Sequence, residues 1–118
     1  MNIPENIYAT TKNIISWAYD RNIIGEATAK DQLCKLIQEV GEVSDAVCKD
    51  DRENLIKEIG DVYVVLTLLC EMHDISIPEC AEAAYKKIST RKGIMFDGVF
   101  VKETDKEYLD ILKKLGRE

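Results

Sequence analysis

Apolar residues recur at helical spacing along most of this chain, and their grouping predicts a sequence of helices. Ile7, Ile14, Ile15, Trp17 and Ala18 mark a first helix from near Pro4, which suits a first helical turn, to about Arg21; Gly25 breaks the pattern after it. Leu33, Leu36, Ile37, Val40, Val43 and Val47 form one apolar stripe of a second helix, from Thr28 to about Lys49. Thr28 with Asp31 resembles a capping box in which Asp replaces Glu or Gln. The charged run Lys49-Asp50-Asp51-Arg52 is the expected turn.

A third helix should run from about Arg52 to His73, with Leu55, Ile59, Val62, Leu66 and Leu69 in helical register. Its second half, Val62 to Cys70, is apolar nearly all round and rich in β-branched residues, so taken alone it could be a buried strand. No turn residue interrupts Arg52 to His73, which favours a helix, and a helix apolar on most sides should be central in the fold. Ser76 and Glu79 form a second capping box opening a fourth helix that Gly93 closes. Asp97-Gly98 between two apolar triplets signals a short hairpin over Ile94–Val101. Thr104 and Glu107 form a third capping box before a last helix carrying Tyr108, Leu109, Ile111, Leu112 and Leu115.

The reading is therefore all-α, one domain over residues 1–118, and the chain is long enough to bury a core without staples. Only 6 Gly and 2 Pro agree with long helices. With 16 basic and 22 acidic residues the formal net charge is −6, which argues against nucleic acid or an anionic membrane as the main partner. A phosphate-bearing substrate stays open, because a divalent cation can bridge it to carboxylates. Cys34, Cys48, Cys70 and Cys80 show no CxxC pair and no zinc-ligand spacing, so buried reduced thiols and a cytoplasmic location are expected. Residues 1–20 lack the pattern of a signal peptide, and the longest uncharged stretch, Val62 to Cys70, is too short to span a bilayer.

Two segments echo one another: Glu39-Val-Gly-Glu42-Val and Glu58-Ile-Gly-Asp61-Val. Each places carboxylates at i and i+3, neighbours on one helix face, and each borders core positions. A short turn favours antiparallel packing of the two helices, which would bring the four acids face to face. Four ionised carboxylates there would repel one another and lose hydration, and a divalent cation resolves both costs. Oxygen-only ligands point to Mg2+ or Mn2+ rather than zinc. Gly41 and Gly60 each lie just before the second acid of a pair, inside a helix, where Gly costs about 1 kcal/mol relative to Ala. Such residues suggest a backbone or ligand approaching closely. Carboxylate pairs at this spacing are common on solvated helices, and Glu79 with Glu82 and Glu71 with Asp74 show it elsewhere in this chain.

Glu39-Val-Gly-Glu42, 15 intervening residues and Glu58-Ile-Gly-Asp61 match ExxE, spacer, ExxD. On this pattern the chain resembles the MazG-type all-α nucleoside triphosphate pyrophosphohydrolases. Trp17-Ala-x-x-Arg21, Gln32-x-x-Lys35, Lys87-x-x-x-Arg91-Lys-Gly and Gly98-Val-Phe-Val-Lys102 extend the likeness to the short single-domain members found in bacteria, mobile elements and phages. Gln38 departs from it, since many members carry a further Glu there. The resemblance implies a four-helix core, assembly as a homodimer or homotetramer, and cleavage of nucleoside or deoxynucleoside triphosphates to monophosphate and pyrophosphate. It implies Glu39, Glu42, Glu58 and Asp61 as Mg2+ ligands, with Glu39 or Glu42 also orienting or deprotonating the attacking water.

Lys35 reads either as a phosphate contact or as the i,i+4 partner of Glu39. Lys87, Arg91 and Lys92 end a helix, where cations also complement the dipole. The resemblance makes Lys87 and Arg91, and less so Lys92, candidate phosphate ligands. Trp17 could stack on a base or fill the core, and Gln32 could read a base edge. Rival readings are a phosphoribosyl-ATP pyrophosphohydrolase-like enzyme on the same scaffold and a non-catalytic helical interaction module. A di-iron carboxylate bundle fits poorly, because it expects Glu-x-x-His pairs and His73 has Cys70 at that position.

Overall fold

A computed structural model describes residues 6–117. The chain divides between Glu79 and Cys80 into two compact units. The first holds α1 (Ile7–Asp20), α2 (Ile23–Glu26), α3 (Ala29–Cys48), α4 (Arg52–Met72) and the start of α5 (Ile77–Ile88). The second holds the rest of α5, strands β1 (Gly93–Phe96) and β2 (Val99–Lys102), and α6 (Tyr108–Lys114).

Local chemistry sets the helix starts. Asn6 caps α1 by accepting from the Ala9 amide, whereas the expected start at Pro4 lies outside the described residues. Thr28 accepts from the Asp31 amide at 3.1 Å, and the Asp31 carboxylate accepts from the Thr28 amide at 2.9 Å, completing the expected capping box. Hydrogen bonding from Thr28, its backbone amide first and its side chain second, holds the Asp31 carboxyl below the usual range. The break after α1 falls where expected but contains an extra helical turn, α2, kinked at Ile24 and Gly25. Gly25 takes φ +119°, a conformation open to glycine and strained for other residues. Asp51 caps α4 and ends the tight connection from α3.

Helix α4 is the hub of the first unit, with α1, α2 and α3 packed on it. Thr11 Oγ1 and Tyr63 Oη lie 2.7 Å apart between α1 and α4, and Tyr19 Oη donates to Glu71 at 2.9 Å on the same seam. Ala18 on α1, Ala46 on α3 and Val65, Leu68 and Cys70 on α4 are the buried apolar residues of this unit, with Thr67 donating to the Tyr63 carbonyl. The expectation that α4 is central holds. It is not buried all round, because Ile56, Ile59 and Leu66 are exposed. The α3 stripe also divides. Leu36 and Val43 are half-buried, while Leu33, Ile37, Val40 and Val47 stay exposed, 51% to 66% of each remaining accessible. A stripe read from sequence is wider than the strip one neighbouring helix can cover.

At the end of the first unit, Ser76 and Glu79 exchange capping bonds of 3.2 and 3.0 Å at the start of α5, as expected. Helix α5 stops at Ile88, so Gly93 does not close it; Gly93 opens β1. A Cβ at Gly93 would overlap the Val101 carbonyl oxygen and the Phe100 ring, so the hairpin needs glycine at this close crossing. The strands are antiparallel, Gly93 opposite Lys102 and Phe96 opposite Val99. Asp97 (φ 51°) and Gly98 (φ 79°) form the left-handed turn that Asp-Gly favours. The capping box expected at Thr104 and Glu107 is absent: α6 begins at Tyr108 and Glu107 makes no side-chain cap. Asp105 takes over this segment instead, accepting from the Lys102 amide at 2.7 Å while its own amide donates to the Lys102 carbonyl.

The cysteine expectation is corrected at three positions. Cys70 is buried, whereas Cys34, Cys48 and Cys80 are exposed. Helical periodicity put the first two on α3, but on sides that α4 does not cover. Among the described residues, no helix is long and apolar enough to cross a membrane.

Candidate metal centre

Antiparallel packing of α3 on α4 around the short Lys49–Asp51 turn brings both acid pairs to one place. Glu39, Glu42, Glu58 and Asp61 each present a carboxylate oxygen within 4.8 Å of the others. Burial grades across the group: Glu39 is 5% exposed, Glu42 and Glu58 are half-buried, and Asp61 is exposed. Among the described residues, the one ion pair is Lys35 Nζ to Glu39 Oε1 at 3.1 Å, one turn back on α3.

That pairing leaves a deficit. Glu39 Oε2 and Glu58 Oε2 are buried with no hydrogen-bond partner. A buried carboxylate oxygen without a donor loses its hydration without compensation, so native folds seldom keep one unless something binds there. Glu42 reports the same crowding. A hydrogen bond with Glu58 pushes its carboxyl above the usual range, partial burial and the Glu58 charge add to this, and Glu39 and Lys35 pull the other way. In the metal-free chain Glu42 thus holds its proton more tightly than a free glutamate does.

The donor set fits a hard divalent cation. All four groups are carboxylates, two with an orphaned buried oxygen aimed away from solvent, and the exposed rim at Asp61 leaves room for water or a ligand. The exposed pair Glu79–Glu82 and the pair Glu71–Asp74, whose Glu71 is half-buried, form no such cluster among the described residues. A polar cleft of about 170 Å3 continues from the acids toward the α3–α4 turn, lined by Glu42, Asp45, Lys49, Asp51, Asn54 and Glu58. Sequence reasoning missed Asp45 and Asn54 as cleft residues. Asp45 stands three residues beyond Glu42, so extending the i,i+3 series by one step would have found it.

The remaining candidates are less gathered. Lys35 touches the cluster through Glu39. Trp17, on α1, is 45% exposed, and Gln32, on α3, is half-buried; neither joins the acid cluster by a hydrogen bond. Lys87, Arg91 and Lys92 belong to the second unit and are exposed. For the two mid-helix glycines, the chain itself supplies no close neighbour. A Cβ at Gly41 or Gly60 would meet nothing within 4 Å, so no part of the described chain makes the close approach their positions suggested.

Comparison with known proteins agrees with this geometry. A Haemophilus phage HP1 (strain HP1c1) protein, described as an uncharacterized 18.2 kDa protein in the rep-hol intergenic region, is 33% identical over 64 residues. The aligned part is 54% of this chain and 39% of that relative, so less than half of the relative is spanned. No solved structure is significantly similar. The model of the MazG nucleotide pyrophosphohydrolase domain matches residues 27–96, a span holding both acid pairs and the turn that faces them together. With more than half of its length matched, the chain belongs to the MazG nucleotide pyrophosphohydrolase domain family.

Proposed function

We propose that this protein hydrolyses nucleoside or deoxynucleoside triphosphates between the α- and β-phosphates, with Mg2+ or Mn2+ held by Glu39, Glu42, Glu58 and Asp61. The observation that carries the reading is the convergence of four carboxylates, two with orphaned buried oxygens, inside the segment that matches the family. When bound, the cation neutralises phosphate oxygens and lowers the pKa of a bound water.

The chain's own residues supply the rest. Glu39 is fixed by burial and by Lys35, so it holds its place as a structural ligand. Glu42 is the more accessible of the helix-α3 acids, and its raised proton affinity suits accepting a proton from the attacking water. Asp61, exposed at the rim, is placed to meet the triphosphate side. Lys35 has half its side chain in solvent and can reach a phosphate while it balances Glu39. Trp17 stacking on the base, Gln32 reading its edge, and Lys87 and Arg91 binding phosphate complete the proposal. It treats residues 1–118 as one functional domain working in the cytoplasm, with neither nucleic acid nor a membrane as partner.

Self-association belongs to the same reading. Leu33, Ile37, Val40 and Val47 on α3, with Ile56 and Ile59 on α4, leave an aliphatic face in water that a single chain does not cover. A homodimer or homotetramer built on this face would complete the four-helix core. The open surroundings of Gly41 and Gly60 are consistent with close approach by a second chain or by substrate.

The test is turnover of a panel of ribo- and deoxynucleoside triphosphates, plus phosphoribosyl-ATP, with Mg2+. Monophosphate and pyrophosphate from at least one triphosphate is the expected result. Turnover of phosphoribosyl-ATP alone would move the assignment to that relative, and inertness toward all would reduce the chain to a helical interaction module.

A further inference from the structure

Along the seam between α1 and α4 lies a cavity of about 210 Å3 that the acid site does not use, formed entirely within the first unit. Ile7, Ile15, Ile75, Ile77 and Pro78 make its wall mainly aliphatic. An enclosed apolar cavity of about 150 Å3 in another protein takes up benzene. The space beside α4 is larger and accommodates one aromatic ring with a short side chain.

The polar part of the wall comes from α4. Tyr63, Thr67 and Glu71 stand at i, i+4 and i+8, which puts them in one row along the helix. Their hydroxyl protons are already committed. The single Thr11 hydroxyl proton goes to the Ile7 carbonyl at 2.7 Å, so in the 2.7 Å contact between the Thr11 and Tyr63 hydroxyls it is Tyr63 that donates. The hydroxyl of Thr67, a residue only 2% exposed, donates to the Tyr63 carbonyl at 2.8 Å. Both α4 hydroxyls therefore have only lone pairs left to offer. Glu71, at the end of the row, accepts from Tyr19 at 2.9 Å through one carboxylate oxygen, and that bond orients it. It forms no ion pair among the described residues. The cation of the wall, Lys12, is exposed and follows Thr11, so it stands at the Tyr63 end. From that level to Glu71 the helix rises about 12 Å.

We infer that this cavity binds a small organic amine: one protonated amino group on an apolar body the size of a single ring. The ammonium sits at Glu71, with the Thr67 hydroxyl oxygen one turn away as a second acceptor, and the body packs among the isoleucines. A wall of acceptors suits a group that is all donor, and an unpaired carboxylate beside apolar surface selects a cation over a neutral donor. An anion would meet Glu71, and a second positive charge at the far end would meet Lys12, so the occupant carries one charge. This inference rests on α1, α4 and the start of α5 and does not need the metal centre to be catalytic.

The test is calorimetric titration of 2-phenylethylamine into the full chain and its variants, beside 2-phenylethanol, which has the same ring and chain length without the charge. The amine should bind saturably, and the alcohol about tenfold or more weaker, as expected for loss of a charge-assisted bond. Glu71→Gln still accepts from Tyr19 but removes the charge, so it should weaken the amine by about tenfold or more and leave the alcohol unchanged. Ile75→Trp fills the cavity from a position 44% exposed and should remove binding of both. Glu58→Gln, in the acid cluster, should bind the amine as the unaltered chain does. Circular dichroism checks that each variant keeps its helices, and Ile75→Trp serves where Glu71→Gln does not fold. No amine binding by the unaltered chain, or equal affinity for amine and alcohol, would overturn the inference. So would undiminished amine binding by Glu71→Gln or by Ile75→Trp, and loss of it in Glu58→Gln would place the amine at the acids instead.

Discussion

Replacing Lys35 with Met separates the two parts this residue can play, and the structure gives the scale of the effect. Lys35 Nζ lies 3.1 Å from Glu39 Oε1, with half of the lysine side chain exposed but only 6% of the glutamate's. Met keeps most of the aliphatic stem, so the change removes charge rather than packing. An exposed i,i+4 pair contributes about 0.3–0.5 kcal/mol, whereas breaking a fully buried pair costs about 3–5 kcal/mol. This pair is exposed at one end and buried at the other, and the glutamate left behind has acids around it. The metal-free chain should therefore lose about 1–2 kcal/mol. At about 2.1 cal/mol/K of unfolding entropy per residue, that corresponds to a fall in Tm of about 4–8 °C. Saturating Mg2+ should shrink the loss, because a cation then compensates Glu39 in place of the lysine. Thermal unfolding followed by circular dichroism, with and without Mg2+, reads both numbers. If Lys35 also contacts phosphate, KM rises in the same variant. An unchanged Tm without metal would refute the reasoning, since it would mean that Glu39 does not depend on its partner for charge balance.

Gly60→Ala should stabilise the isolated, metal-free chain by about 1 kcal/mol in chemical denaturation, because Ala is the better helix former and its Cβ meets open space; a loss of stability would show that some part of the same chain closes on that position. The raised Glu42 carboxyl means that the folded metal-free chain binds a proton more tightly there than the unfolded chain does. Its stability should then fall as pH rises from the ordinary glutamate range through the raised value, and Glu42→Gln should flatten that slope in a pH series of melts. Ile37→Asp places a charge on the exposed α3 face and should leave the helical content of the chain intact while shifting its mass by light scattering to that of a single chain; a mass unaltered from the parent oligomer would locate the contact elsewhere.

What could be read from the sequence was whatever depends on neighbours along the chain. Thr28 with Asp31 and Ser76 with Glu79 cap their helices through bonds spanning three residues, so the motif and the structure coincide. Asp97-Gly98 made its turn for the same reason. The motif at Thr104 and Glu107 failed because Asp105 bonded back to the strand, a competition the four-residue pattern does not contain. The sequence pattern marks Gly93 as a helix end, whereas its work is across the hairpin, against Val101 and Phe100, and is invisible without the partner strand. The acid cluster was legible because i,i+3 spacing and a short turn fix its geometry almost alone. Its electrostatic detail was not: that Glu39 is buried, that two oxygens lack donors and that Glu42 leans on Glu58 all depend on side-chain packing. The apolar stripe of α3 shows the limit in the other direction. The spacing marks Leu33, Ile37, Val40 and Val47 as needing cover, but not whether the cover comes from the same chain.

The central claim is that four carboxylates on α3 and α4 hold a divalent cation, and calorimetric titration of Mn2+ or Mg2+ tests it most directly. The unaltered chain should bind the ion and Glu58→Gln should lose that binding, while Glu82→Gln, in an exposed pair of the same spacing, should bind as the unaltered chain does. Metal binding by Glu58→Gln equal to that of the unaltered chain would contradict the account.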